Sequence, residues 1–388
     1  MNSVWIWQRN VSPHTAPLAS ALARIVPDVR FVAEKGIQDV RMAMGWQLPD
    51  FGNAELIVCQ NPQEIRELAR SANKNCQHIF QGIRGNGSLA LAQEELSKRK
   101  IQYWPLLETI EGHGIQSFAK QRLYRHVLRR KESHIRGILA IGANTPSWLK
   151  RAGFSASKIH PFTYFLADEE RAETLQAVDG STYRVLFVGR LIEQKNVDIL
   201  IRAYARIALG RERVSLTIVG NGPSEVVLRN LSQKLGVSEG VEFVEPVSIT
   251  KIPGIMRRHD LLVLPSRHDG WGAVVSEALM AGTPAIVSEA CGAAEAVRAC
   301  GVGAVVPVHN IDALASALQS MAGQGAYSLA RRAALANWAR AFGATAGAQY
   351  FVQLHEAVAQ DRPTPLPPWR QSAPAFSVLD STNAVDAE

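Results

Sequence analysis

Along this chain short apolar runs alternate with longer amphipathic stretches, and few folds accept that alternation. Candidate strands in the first half are Val4–Gln8, Val29–Glu34, Glu55–Gln60, His78–Ile83, Gln102–Leu107 and Gly137–Ile141. The second half repeats the pattern more cleanly, with Tyr183–Val188, Val214–Val219, Val241–Val244, Leu261–Pro265, Pro284–Val287 and Gly303–Pro307. Between them, Pro62–Ala72, Ser88–Lys100, Asn196–Leu209, Ser224–Leu235, Val274–Ala281 and Ala293–Cys300 carry apolar residues at helical spacing. Uninterrupted apolar strands are covered on both faces, so they belong to parallel sheets flanked by helices. Two such sets in 388 residues, at about 150 residues per domain, predict two Rossmann-like α/β domains. The first is expected over residues 1–170 and the second over 180–345. The helical stretches Tyr327–Phe342 and Thr345–Gln360 follow, the latter (346–360) crossing back to the first domain. Residues 361–388 carry five prolines and no periodicity, which predicts a flexible tail.

A composition of 47% hydrophobic and 20% charged residues excludes a chain disordered throughout. The uncharged stretch Ala313–Ala330 is interrupted by Ser, Gln and Gly, so no transmembrane helix is expected. The opening MNSVWIWQRN has no basic region ahead of a long apolar run, so no signal peptide is expected. Cys59, Cys76, Cys291 and Cys300 lie far apart without a CxxC pair, as buried thiols of a cytoplasmic protein would. The net charge of +7 is uneven: Lys98–Lys158 holds thirteen Lys/Arg against Glu108, Glu111 and Glu132. Nucleic acid, an anionic membrane or a phosphorylated substrate could meet such a patch. Within it, Phe118–Lys131 reads as a basic amphipathic helix. Either it packs on its own sheet or it rests peripherally on an anionic membrane.

The chemistry concentrates between Val185 and Val297. A strand ends in Gly189-Arg190-Leu191, and Lys195 follows at the next helix's start. Two cations at a strand's carboxyl end suit a diphosphate, although a solvated loop would show the same pair. Next comes Gly220-Asn221-Gly222-Pro223, a tight turn lacking the third glycine of a dinucleotide fingerprint. Third is Pro265-Ser266-Arg267-His268-Asp269-Gly270-Trp271-Gly272, a glycine-bracketed loop leading into a helix that carries Glu277. Its backbone N–H groups can approach phosphates closely, while Asp269 and Glu277 can accept hydrogen bonds from sugar and ribose hydroxyls. Cys291-Gly292-Ala293-Ala294-Glu295 then repeats the strand–glycine–helix arrangement.

Taken in order, these elements resemble the C-terminal domain of glycosyltransferase family 4, retaining enzymes of the GT-B fold that use nucleotide-activated sugars. The resemblance is strong over residues 183–310 and only outlined before them. It implies two domains with the active site in the cleft between them. It implies that Arg190 and Lys195 bind the donor diphosphate, Glu277 the ribose and Asp269 the transferred sugar. Asp269 stands where the family has glutamate, one methylene longer. No Asp-x-Asp pair is present, so no metal cofactor is expected, and the two cations would do a metal's electrostatic work. The expected partners are a nucleotide-sugar donor and a glycan or lipid-linked acceptor, in bacterial surface polysaccharide assembly.

The first domain lacks the family's glycine-rich loop, having no glycine before Gly36. In its place Asn10, Ser12 and His14 are acceptor-side candidates, or simply a Ser-Pro helix start. Downstream, Glu108-Thr-Ile-Glu111-Gly112-His113-Gly114 places a histidine between glycines after a strand. His113 resembles the family's acceptor-side histidine and is the catalytic candidate, with Glu108 second. Two rivals are weaker. A nicotinamide dehydrogenase needs a glycine fingerprint that Gly82, Gly85 and Gly87 do not form, and an RNA-binding sheet needs cations interleaved with aromatics. A nucleotide-binding protein of this fold that transfers nothing remains the alternative.

Overall fold

The computed structural model describes residues 1–42, 45–84, 87–109, 114–168, 182–208 and 213–371. Strands β1 (Ser3–Asn10), β2 (Asp28–Lys35), β3 (Glu55–Val58), β4 (Gln77–Gln81), β5 (Trp104–Glu108), β6 (Ile138–Ile141) and β7 (Ile159–Phe162) form one sheet, ordered β3-β2-β1-β4-β5-β6-β7. Strands β8 (Tyr183–Val188), β9 (Val214–Val219), β10 (Val241–Val244), β11 (Leu261–Leu264), β12 (Ala285–Ser288) and β13 (Ala304–Val306) form a second, ordered β10-β9-β8-β11-β12-β13. Every neighbouring pair in both sheets is parallel. The second order is that of a doubly wound dinucleotide-type sheet.

The reason lies in the apolar runs. Leu261, Leu262 and Val263 in β11 and Ala285, Ile286 and Val287 in β12 are fully buried. Each buried Val, Leu or Ile contributes roughly 1.5–3 kcal/mol, so exposing one face of these strands would be costly. The first sheet buries Trp7, Phe80 and Tyr103 among aliphatic neighbours. There the fully buried His78 accepts from Trp7 Nε1 at 3.1 Å, and burial pushes its imidazole down to about 3.

β7 was not expected, because Ile159-His-Pro-Phe162 carries Pro161 at its centre. It lies at the sheet's edge, where a residue without an N–H is tolerated.

The first compact unit comprises residues 1–42, 47–168 and 342–368, and the second holds the rest of the described chain. The helix Ala344–Ala359 is therefore part of the first unit. Ala344 N donates to Leu166 O at 2.7 Å, and Asp168 Oδ2 accepts from Thr345 N at 3.0 Å and Thr345 Oγ1 at 2.6 Å. Tyr350 OH donates to Pro161 O at 3.0 Å, and Phe351 meets Trp104 edge-on at 5.6 Å.

The expectation of a flexible tail from Asp361 needs correction over its first part. Pro368–Arg370 forms a helical turn, and Trp369 in it is 1% exposed. Proline content hid this, because a Pro-rich segment can be well placed without periodicity.

The basic helix spans Gly114–Lys131. Tyr124, Val127 and Leu128 pack on the first sheet's core, with the Tyr124 ring 5.1 Å from Trp148. Arg122, Arg125, Arg129 and Arg130 are exposed. No helix among the described residues is long and apolar enough to cross a membrane.

Candidate functional site

In the second sheet β8 and β11 are neighbours, yet the chain leaves β8 towards β9 and β11 towards β12. Loops at their carboxyl ends diverge there and open the crevice in which open α/β sheets bind ligands. Arg190 and Lys195 follow β8, and Ser266–Gly272 follow β11.

Glycine lets these loops close on one another. Gly220 has φ +133°, and a Cβ on it would lie 2.1 Å from Gly189 O. A Cβ on Gly222 would lie 2.3 Å from Leu191 O. Leu191 N donates to Asn221 O at 2.8 Å, and Ser224 N to Leu191 O at 3.0 Å. The turn after β9 thus braces the β8 loop through backbone contacts that any side chain would prevent.

The β8 and β11 loops are also tied together. Arg267 N donates to Gln194 O at 2.8 Å, and Gln194 Nε2 to His268 O at 3.0 Å. The Arg267 side chain pairs with Glu193 and donates to Asn196 Oδ1 at 3.0 Å. Asn196 is buried in the left-handed region, φ +58°. Sequence reasoning missed Arg267; its position two residues before Asp269 was the available signal. These ties bring Lys195 Nζ to 2.5 Å from Asp269 Oδ2, joining two predicted site residues in one ion pair. Arg190 is exposed, with no ion pair among the described residues.

Gly272 caps the helix Ala273–Met280 with φ +86° and no side chain to satisfy its first N–H groups. Those donors and the helix dipole together favour an anion. Earlier in the same loop, the Oγ of fully buried Ser266 has no partner among the described residues. Trp271 is buried rather than presented, its Nε1 donating to Ser276 Oγ at 2.9 Å. Glu277 lies one turn into the helix, partly buried, and desolvation alone pushes its carboxyl up to about 7. Cations and a helix N-terminus for an anion, with Asp269 and Glu277 for hydroxyls, are thus held within one unit.

In the first unit, Ser12 O accepts from Thr15 N at 3.2 Å and Ala16 N at 3.0 Å, so this segment starts the helix Ala16–Leu22. Asn10 ends β1, and Ser12 Oγ accepts from His14 N at 3.2 Å. The His14 ring lies 6.3 Å from Tyr164, whose hydroxyl donates to Glu108 Oε1 at 2.5 Å. His14 and Glu108 are therefore gathered around Tyr164, which the sequence did not single out. Glu111 and His113 lie outside the described residues.

Solved structures share this architecture at low sequence identity. Alr3699/HepE from Anabaena, solved with UDP, superposes with a TM-score of 0.70 at 16% identity, over 92% of this chain and 100% of that one. A glycosyltransferase from Rickettsia africae superposes with a TM-score of 0.68 at 13% identity, over 93% of this chain and 99% of that one. The fold is GT-B.

Within this GT-B chain, residues 168–339 match the profile of the family described as "Glycosyl transferases group 1". MJ1607 of Methanocaldococcus jannaschii, an uncharacterized glycosyltransferase, is 32% identical over 174 residues, 44% of this chain and 44% of its own length. A D-inositol 3-phosphate glycosyltransferase of Mycobacterium sp. (strain JLS) is 32% identical over 174 residues, 44% of this chain and 39% of its own length. The chain thus spans less than half the length of these curated relatives.

Proposed function

We propose that the chain is a retaining glycosyltransferase that moves a sugar from a nucleotide-diphosphate donor to a hydroxyl of a glycan or lipid-linked acceptor. The observation that carries this is the crevice at the switch point of the second sheet. Arg190 and Lys195 follow β8, Lys195 pairs with Asp269 on the loop after β11, and that loop runs through Gly272 into the helix that carries Glu277. The donor's diphosphate fits the cations and the helix end, its ribose fits Glu277, and its sugar fits Asp269. The bond from the anomeric carbon to phosphate breaks as the acceptor oxygen bonds to that carbon on the same face. The acceptor's proton passes to the departing phosphate oxygen. Arg190 and Lys195 stabilise the charge developing there, which is where such groups lower a barrier most.

The anomeric outcome, the acceptor class and a place in surface polysaccharide assembly rest on the family resemblance. Peripheral attachment to an anionic membrane is supported by the exposed arginines of the helix Gly114–Lys131. The deciding experiment is calorimetric titration with UDP, GDP and ADP, followed by donor hydrolysis across a panel of nucleotide sugars. Binding with hydrolysis of at least one donor is the expected result. Binding without turnover of any donor, with or without acceptor glycans, would favour the non-transferring alternative.

A further inference from the structure

Trp369, which follows the Pro-rich segment, belongs to the second unit and is buried there. Trp369 is 1% exposed, and a buried indole needs an acceptor for its N–H. Trp369 Nε1 donates to Glu295 Oε1 at 2.9 Å, and Arg370 reaches the same oxygen from Nε at 2.6 Å and Nη2 at 2.5 Å. The Glu295 side chain is 14% exposed and lies in the first turn of the helix Ala294–Cys300, where a carboxylate also suits the helix dipole.

The residues just before Glu295 hold the donor loop. Gly292 N donates to Asp269 O at 2.9 Å and Ala293 N to Trp271 O at 2.7 Å. A Cβ on Gly292 would lie 2.0 Å from Gly270 O, so the two backbones touch. The Trp369 ring also meets Trp271 directly, centroids 6.1 Å apart and planes at 56°. Trp369 therefore reaches the loop twice, ring against ring and through Glu295. Pro363, Pro365, Pro367 and Pro368 restrict the segment's unfolded conformations, which lowers the entropy lost when the tryptophan docks.

We propose that Trp369 and Arg370 are positioning residues for the loop Asp269–Gly272. They hold it against Cys291–Glu295, and so fix the Asp269 carboxylate and the helix N-terminus that follows. The contacts that assign this role are those with Glu295 and Trp271. The inference rests on the donor-site reading of that loop, because displacing reacting groups by about 1 Å can cost 10²-fold in rate.

The test compares Trp369→Ala, Trp369→Phe and Arg370→Ala with the unaltered full chain. Amide hydrogen exchange is followed at 267–273 and 290–296, with β8 and β9 as internal references, and UDP is titrated against each variant. In Trp369→Ala, exchange should accelerate in the two loops while β8 and β9 stay protected, and UDP should bind about tenfold more weakly. Trp369→Phe keeps an aromatic ring against Trp271 but loses the bond to Glu295, so it should fall between. Unchanged exchange in the loops would overturn the proposal, as would equal acceleration in β8 and β9, which marks general loss of stability. Should Trp369→Ala fail to fold, Arg370→Ala and Glu295→Gln carry the same comparison with smaller expected effects. Failure of the unaltered chain to bind UDP, GDP or ADP would remove the donor reading alone. The exchange pattern would still decide whether the segment holds the loop.

Discussion

Lys195 Nζ lies 2.5 Å from Asp269 Oδ2, between loops 74 residues apart in the chain, with 22% and 16% of the two side chains exposed. In the proposed donor site Lys195 would both neutralise Asp269 and face an incoming diphosphate, whereas Arg190 would do only the second. Arg190→Ala should lower kcat by about 10²-fold, a loss of roughly 3 kcal/mol in transition-state stabilisation. Lys195→Ala should cost more, because it also leaves Asp269 unpaired. Asp269→Asn should impair transfer with nearly unchanged affinity for UDP. Combined with Lys195→Ala it should be non-additive, with a coupling above about 0.5 kcal/mol. Simple additivity in that cycle would refute the shared role, and normal rates in Arg190→Ala would remove the leaving-group assignment.

Glu277 makes a pH prediction whose sign is fixed by its raised pKa, from 4.5 to about 7. Between these values the folded state holds a proton that the unfolded state has released, so this group's contribution to stability falls as pH rises from about 4.5 to 7. Glu277→Gln should flatten that decline. If ribose binds the ionised carboxylate, nucleotide affinity should fall about tenfold from pH 8 to 6 and stay flatter in Glu277→Gln. Parallel pH profiles in the two proteins would exclude Glu277 from the site.

Much of the fold was legible because burial on both faces writes strands such as Leu261–Leu264 as plain apolar runs. β7 was not legible, since Pro161 and His160 disguise an edge strand only four residues long. The order of Arg190, Lys195, Asp269 and Glu277 could be read along the chain, because loops after parallel strands share one end of a sheet. That Lys195 pairs with Asp269 could not, as it depends on β8 lying beside β11 and on Arg267 drawing their loops together. Tyr164 and Trp369 escaped for a simpler reason. Each meets partners far away in the chain and belongs to no periodic pattern.

Gly220 offers a test of the loop architecture that needs no substrate. Its φ of +133° and the 2.1 Å approach of Gly189 O to a built Cβ leave an added methyl no room without moving backbone. Gly220→Ala should destabilise the protein by about 1–3 kcal/mol, read by denaturant unfolding. Gly236→Ala is the comparison: it shares a positive φ of +70° but has nothing within 4 Å of the built Cβ. A loss no larger at Gly220 than at Gly236 would mean that backbone strain, and not the close approach, dominates.

In the first unit, the hydrogen bond from Tyr164 to Glu108 and the neighbouring His14 ring predict an effect confined to the acceptor. Tyr164→Phe removes the donor that orients the Glu108 carboxylate while preserving the ring. It should raise the acceptor KM several-fold and leave UDP affinity unchanged, and Glu108→Gln should act in the same direction. A matching loss of UDP affinity in both variants would place the cluster on the donor side.

The last prediction concerns the helix Gly114–Lys131. With Tyr124, Val127 and Leu128 packed inward, attachment to a membrane through this helix would be mainly electrostatic, carried by Arg122, Arg125, Arg129 and Arg130. Each cation near an anionic surface contributes about 1 kcal/mol, and salt screens the attraction within a Debye length of roughly 8–10 Å. The protein should therefore sediment with vesicles containing phosphatidylglycerol at low salt and be released as salt rises. Arg129→Gln with Arg130→Gln should weaken this binding by more than tenfold, whereas Leu123→Ala, at an exposed apolar position, should change it little. Retention at high salt, or a larger effect from Leu123→Ala than from the arginine pair, would point to insertion rather than surface charge. Equal recovery with neutral and anionic vesicles at low salt would end the membrane reading.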